Sequence, residues 1–507
     1  MPHVTNNKRI APVHDNPLDV VVQPESVALV GITVNNPDHW TRTFLDSLLA
    51  FGFDRPLYLV NPKGGEIDGR KVYTSLAEIP STIDYVISTV PARASAGLVR
   101  ECATKGTKVV HFCTAGFSEI GTEEGVALEQ ELVAAGRETS IRLLGPNCMG
   151  IYCPESRLAI DPDFPKESGS VAIISQSGAN VNQLVRRSAQ RGIRFSKAFS
   201  FGNACDINES DILEYLAEDN DTQTIAIYIE GVKDGRRFRR ALERAAATKT
   251  VVLLKGGVTA GGSRAVFGHT GALAGRKETW EALCKQTGVI SVSSMEDLVD
   301  VLIAREFMPL PQGYGTLVVG AGGGASVMMT DQIEEAGLTV PALSQEIVDR
   351  LREFSSDAGN ILRNPIDYSQ DMWQTGKLLR TIDVAMSSPV IDLLLIFTSA
   401  GLFSSKSGSR MAEYSAMVVQ AMQECAKPAV AVVELSVAPE QQAMMYTLFE
   451  GLVDARFPVF YSAPSAARAI RALLENDRTK LRRSITVPLT RASAEVRIDG
   501  SMDQDVA

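Results

Sequence analysis

Short apolar runs that end in Gly, Pro or Asn recur along this 507-residue chain, and each is followed by a stretch long enough for a helix. The first is Ser26-Val27-Ala28-Leu29-Val30-Gly31, then a loop to Asp38 and a helical run from about His39 to Phe51. Leu57-Tyr58-Leu59-Val60 ends in Asn61-Pro62-Lys63, and Tyr85-Val86-Ile87-Ser88 runs on to Val90-Pro91. Lys108-Val109-Val110-His111-Phe112 ends in Thr114-Ala115-Gly116, and Arg142-Leu143-Leu144 in Gly145-Pro146-Asn147. Parallel strands cannot be joined by a tight turn and need a crossover, usually a helix, so this alternation predicts βαβ units and parallel sheets. Ligands of such sheets bind beyond the carboxyl ends of the strands, where these loops lie.

A second unit starts after the Pro-containing link at 161–168. Ser170-Val171-Ala172-Ile173-Ile174 reads as a strand, Ser175-Gln176-Ser177-Gly178 as its loop, and a helix follows from Ala179. Small residues feeding a helix N-terminus favour an anion, because the free N–H groups and the helix dipole act together. Thr224-Ile225-Ala226-Ile227-Tyr228-Ile229 is a buried strand with Glu230-Gly231 at its carboxyl end. The third unit repeats this plan, with Gly315-Thr316-Leu317-Val318-Val319 running into Gly320-Ala321-Gly322-Gly323-Gly324-Ala325 and a helix. Two such helix N-termini facing each other would hold one phosphoryl group between them. Asn364-Pro365-Ile366-Asp367 reads as a rigid element that caps a helix or holds a phosphate.

The chain has five histidines, and only His269 lies among small residues, in Gly268-His269-Thr270-Gly271-Ala272-Leu273-Ala274-Gly275. That stretch and the glycine-dense segment before it read as loop, open to close approach by a substrate. The glycines at 256, 257, 261, 262, 268 and 271 would let it swing. The net charge of −10 disfavours a nucleic-acid partner, which requires a basic footprint. Seven cysteines with no CxxC pair argue against a disulfide framework or a zinc site. With no apolar run long enough to span a bilayer and no signal-peptide core, the expected setting is the cytoplasm, off the membrane. The first loop has Gly31 alone, with Val34-Asn35-Asn36-Pro37 where a dinucleotide fingerprint would place further glycines.

Four motifs then stand in register: Leu144-Gly145-Pro146-Asn147-Cys148-Met149-Gly150, Ser175-Gln176-Ser177-Gly178, Tyr228-Ile229-Glu230-Gly231 and Gly268-His269-Thr270-Gly271. In type, order and spacing they resemble those of the NDP-forming acyl-CoA synthetases. The first two units are similar to the alpha subunit of succinyl-CoA synthetase. The third is similar to the extra ligase domain of the ADP-forming acetyl-CoA synthetases. The resemblance implies a tail at 1–22, a Rossmann-like CoA-binding domain at 23–155, two flavodoxin-like CoA-ligase domains at 165–310 and 313–475, and a tail at 476–507. It implies that His269 is the phosphohistidine and Glu230 the carboxylate that orients its ring. Ser175, Ser177, Gly178 and Ala179 would hold the phosphate, as would Gly322, Gly323, Gly324 and Ala325. Gly31, Thr33, Lys63, Val90, Pro91 and Asn147 would lie along coenzyme A, and no metal site is implied in this chain.

No stretch after the third unit is long enough for an ATP-grasp domain, so the resemblance implies that ATP or ADP and Mg²⁺ are bound on a partner subunit of that kind, in a homo- or hetero-oligomer. The implied reaction interconverts acyl-CoA and phosphate with a small carboxylic acid and CoA through an acyl phosphate. Two other readings share the motifs: an acyl or carbamoyl transferase that works without an ATP-grasp domain, and a CoA-sensing module whose histidine is idle.

Overall fold

The computed structural model describes residues 16–270, 275–320, 322–371, 373–399, 410–434 and 438–486. Three sheets follow one another along the chain. The first contains β1 (Val27–Val30), β2 (Leu57–Val60), β3 (Gly65–Ile67), β4 (Arg70–Tyr73), β5 (Tyr85–Ser88), β6 (Val109–Phe112) and β7 (Arg142–Leu144). Their order is β3-β4-β2-β1-β5-β6-β7. All pairs are parallel except the β3–β4 hairpin. Without β3 this is the doubly wound order of dinucleotide-binding sheets, with β1 at the switch point. Every residue of β1, β5 and β6 is buried, as expected for strands covered by helices on both faces.

The second sheet contains β8 (Gly150–Tyr152), β9 (Ser168–Ser175), β10 (Phe195–Ser200), β11 (Thr224–Ile229), β12 (Thr250–Lys255) and β13 (Ile290–Val292). Its order is β13-β12-β11-β9-β10-β8. The third contains β14 (Thr316–Gly320), β15 (Ile361–Leu362), β16 (Ile366–Asp367), β17 (Leu393–Ser399), β18 (Ala429–Glu434) and β19 (Val459–Phe460), ordered β15-β16-β14-β17-β18-β19. Both sheets run second-first-third-fourth-fifth in the flavodoxin manner, each with one antiparallel strand added beside the second. The repeat read in the sequence is therefore a repeat of topology. Among the described residues no helix is long and apolar enough to cross a membrane.

Four stretches differ from the sequence reading. Residues 17–22, read as tail, form a helix (Pro17–Val22) capped by Asn16, and it buries Leu18, Val20, Val21 and Val22. Residues 150–152, read with the first unit, pair with β10 and edge the second sheet. Helix Ala463–Thr486 continues through 476–486, where a tail was expected. It is held there by long-range bonds: Asn476 Nδ2 donates to the Gly288 carbonyl at 2.6 Å, and Lys480 Nζ to the Lys249 carbonyl at 2.8 Å. The glycine-dense segment read as loop is helical over Ala260–Thr270. Thr259 starts that helix by accepting the Gly262 N–H at 3.1 Å, and Ser263 Oγ donates to the Gly257 carbonyl at 2.8 Å. These bonds override the low helix propensity of glycine.

Helix Ala463–Thr486 returns from the third sheet to pack on helix Met295–Phe307 of the second, so Ala466, Ile470 and Leu474 share one core with Leu302 and Ile303. Arg191 reinforces the junction. It is 5% exposed, pairs with Asp300 at 2.7 Å, donates to the Val459 carbonyl at 2.5 Å and lies 5.0 Å from the Tyr461 ring centroid. Removing one partner of such a pair strands the other charge without water. Arg191→Leu is thus expected to cost about 3–5 kcal/mol, read as a lower denaturant midpoint, and Arg191→Leu with Asp300→Leu to recover most of that. A loss for the single variant no larger than for the double would refute the coupling.

Candidate active site

The register of the strands places the loops of the first rim side by side. Val30 lies opposite both Val60 and Ser88, so Gly31, Asn61 and Thr89 leave the sheet together. Gly31 has φ +92°, and a Cβ there would stand 2.8 Å from Thr89 Oγ1 and 3.0 Å from Val90 N, so a side chain would force the two loops apart. Asn61 Nδ2 donates to the Ile32 carbonyl at 2.8 Å, and its Oδ1 accepts the Lys63 N–H at 2.9 Å. Thr33 N–H donates to Thr41 Oγ1 at 3.2 Å, which fixes the glycine-poor loop by a side chain. On the other flank Thr114 Oγ1 donates to the Val90 carbonyl at 2.6 Å, and the Asn147 N–H to the Thr114 carbonyl at 3.0 Å. Gly31, Thr33, Lys63, Val90, Pro91 and Asn147 thus all sit on the carboxyl rim of one sheet.

Two residues past Asn147 the same loop reaches the second unit. Met149 N–H donates to Ser200 Oγ at 3.1 Å, and a Cβ on Gly178 would lie 2.3 Å from Met149 Cγ. Helix Gly178–Ala189 therefore starts against the loop that carries Asn147. Its N-cap, Ser177, makes no side-chain cap bond to the first-turn amides. Ser175 Oγ donates to the Ser177 carbonyl at 2.7 Å and accepts the Ser177 N–H at 3.2 Å, which shapes the turn before Gly178 and Ala179.

Tyr228 pairs with both Ser175 and Leu254, so Gln176, Glu230 and Lys255 emerge as neighbours. Glu230 is 2% exposed. Gln176 Oε1 accepts the N–H groups of Glu230 at 2.9 Å and Gly231 at 3.3 Å, and Tyr228 OH donates to Glu230 Oε1 at 3.1 Å. Burial raises the Tyr228 phenol's pKa, which keeps it a donor. Lys255 Nζ donates to the Glu230 carbonyl at 2.7 Å and to the Gly256 carbonyl. Burial lowers the pKa of this amine to about 8. The sequence singled out Glu230 and left Gln176, Tyr228 and Lys255 without roles; strand register alone brings them to it.

His269 lies on the last turn of helix Ala260–Thr270. Its side chain and residues 271–274 lie outside the described residues. His111 is set apart by its environment: it is 1% exposed, packed on Tyr85 at 6.3 Å, and burial lowers its pKa to about 4. In the third unit the Gly322 N–H donates to Asp367 Oδ1 at 3.0 Å and to Ser369 Oγ at 2.9 Å. Asp367 therefore caps this turn, leaving the amides of Gly323, Gly324 and Ala325 at the start of helix Gly323–Glu335.

A family model described as a CoA binding domain matches residues 25–154, and one described as a succinyl-CoA ligase like flavodoxin domain matches residues 168–304. Subunit alpha of the ADP-forming acetate–CoA ligase II of Pyrococcus furiosus is 34% identical over 413 residues, covering 80% of this chain and 87% of that one. Subunit alpha of ligase I from the same organism is 36% identical over 360 residues, covering 69% and 76%. The ADP-forming acetate–CoA ligase I of Archaeoglobus fulgidus is 36% identical over 346 residues, and the match spans 50% of its length. The solved dinucleotide-forming acetyl-coenzyme A synthetase 1 of Ca. Korarchaeum cryptofilum, in complex with phosphate and ADP, superposes with a TM-score of 0.79 at 28% identity, covering 93% of this chain and 99% of that one. The chain belongs to the NDP-forming acyl-CoA synthetases, as an acid–thiol ligase subunit of the alpha type.

Proposed function

We propose that this chain carries the acyl-phosphate and phosphohistidine half of an acid–CoA ligation. The contact of Met149 with Gly178 is the observation that supports it most, because one loop then serves both the coenzyme rim and the helix N-terminus. In the proposed sequence an oxygen of inorganic phosphate, held at Gly178 and Ala179, attacks the thioester carbonyl. The carbon–sulfur bond breaks, CoA leaves as thiolate, and an acyl phosphate remains. A neutral imidazole nitrogen of His269 then attacks phosphorus and the carboxylate departs. Glu230 on the other ring nitrogen fixes the tautomer and balances the imidazolium charge. The phosphoryl group passes to ADP on a partner subunit of ATP-grasp type, which also supplies Mg²⁺. The alpha-subunit names of two relatives and the half-length match to a single-chain ligase support a separate partner.

Purified alone, the chain is expected to incorporate labelled phosphate in the presence of an accepted acyl-CoA, as acid-labile, base-stable label, and to form no ATP from ADP. Addition of the ATP-grasp subunit restores ATP formation. ATP-dependent thioester synthesis by this chain alone would overturn the division of labour.

A further inference from the structure

Asn203, in the loop that follows β10, reaches from the second unit to the rim loop of the first that carries Asn147. It is 4% exposed, and its N–H donates to the Pro146 carbonyl at 3.0 Å. Its Nδ2 donates to two carboxylates of the first unit, Glu119 Oε2 at 2.5 Å and Glu129 Oε2 at 3.0 Å. Both carboxylates are held by their own unit. Glu119 Oε1 accepts the N–H groups of Gly116 at 2.5 Å and Phe117 at 3.1 Å, and Ser118 Oγ donates to Glu129 Oε2 at 2.6 Å.

These bonds fix a series of amide orientations. A carboxylate only accepts hydrogen bonds, so the end of Asn203 that faces two of them is the NH₂ group. Its other end is then the oxygen, and a neighbouring amide meets that oxygen only with its own NH₂. Asn147 does so, donating from Nδ2 to Asn203 Oδ1 at 3.5 Å. The Asn147 backbone is pinned as well, with φ +58° and its N–H on the Thr114 carbonyl at 3.0 Å. Asn147 Oδ1 is left as the free end, and among the described residues it accepts no hydrogen bond. A free acceptor on the coenzyme rim selects a donor. The arm of coenzyme A carries two amide N–H groups and a thiol. The thiol is a weak donor and loses its hydrogen in the thioester, whereas the amide N–H groups are the same in CoA and acyl-CoA. A site that must hold both forms is served by the amide.

We propose that Asn203 is a positioning residue of the coenzyme site: it turns Asn147 so that Oδ1 accepts an amide N–H of the pantetheine arm. The inference rests on the reading that coenzyme A lies along this rim, and adds the polarity of one contact and the residue that sets it. Because Asn203 belongs to the second unit, Asn147 is correctly turned only while the two units touch. The arm is thus held best in the arrangement that also brings Gly178 against Met149.

The test is calorimetry on the full chain with coenzyme A and with adenosine 3′-phosphate 5′-diphosphate, its nucleotide half without the arm. The quantity read is the ratio of the two dissociation constants. Asn203→Leu is expected to cut the advantage of the arm about fivefold, the usual worth of one hydrogen bond, with the nucleotide half bound as in the parent. Asn147→Gly, which the positive φ tolerates, should give the same loss, and the double variant no more than either, since Asn203 acts through Asn147. Desulfo-coenzyme A, which has no thiol, should show the same loss in Asn203→Leu. Asn203→Ser keeps a donor for the carboxylates and removes the oxygen facing Asn147, so it takes the place of Asn203→Leu if that variant does not fold. A ratio within twofold of the parent, additive losses in the double variant, or a loss that vanishes with desulfo-coenzyme A overturns the proposal. A parent chain that binds no coenzyme A overturns the placement of the coenzyme and this inference with it, whereas binding with an unchanged ratio overturns this inference alone.

Discussion

Replacing His269 with asparagine is expected to abolish phosphoryl transfer to the partner while leaving acyl phosphate formation from acyl-CoA and phosphate within a few-fold of the parent. The split follows from the order of bonds: phosphate attacks the thioester before any histidine is needed, and only the next step requires a nitrogen nucleophile. Loss of the nucleophile in a covalent mechanism removes on the order of 10⁶ in kcat. Other described histidines offer no substitute. His111 is buried and packed on Tyr85, and His39 Nδ1 is hydrogen-bonded to Thr41 Oγ1 in the first unit. Hydroxamate trapping measures the acyl phosphate, and acid-labile label measures the phosphohistidine. Label that survives His269→Asn would remove this residue from the mechanism, and loss of both partial reactions together would point to a damaged fold.

Glu230→Gln is expected to slow phosphoryl transfer by about 10²–10³, or roughly 2.7–4 kcal/mol, the usual cost of losing one electrostatic partner of a transition state. The isosteric amide keeps the backbone bonds to Gln176 and still offers an oxygen to Tyr228 OH, so thermal stability should hardly change. What is lost is the negative charge beside the imidazolium. Tyr228→Phe, which deletes only a hydrogen bond to that carboxylate, should cost about 0.5–1.5 kcal/mol. A Glu230→Gln enzyme within twofold of the parent would make Glu230 a structural residue.

The α/β class and the rim loops were legible because parallel strands announce themselves by continuous burial, as in Val27–Val30, and by the Gly, Pro and Asn residues that follow. The helix at Ala260–Thr270 was hidden by its glycines, since the bonds that start it come from Thr259 and Ser263 and outweigh propensity. Gln176, Tyr228 and Lys255 converge on Glu230 only through the register of three strands that are distant in sequence. No local periodicity carries that information. The same holds for Arg191 and Val459, joined across most of the ligase region, and for the short edge strand Gly150–Tyr152, whose partner β10 comes after it.

The return of helix Ala463–Thr486 onto Met295–Phe307 also bears on how the protein is made. When ribosomal synthesis has completed the second sheet, Leu302 and Ile303 still lack the cover that Ala466 and Ile470 will supply. At about 5–20 residues per second that wait lasts roughly 8–30 s. Throughout it the nascent chain displays an apolar stripe of the kind holdase chaperones bind. Products cut short before residue 463 keep the stripe bare, so they are expected to be cleared by proteolysis or to precipitate rather than accumulate as free ligase domains.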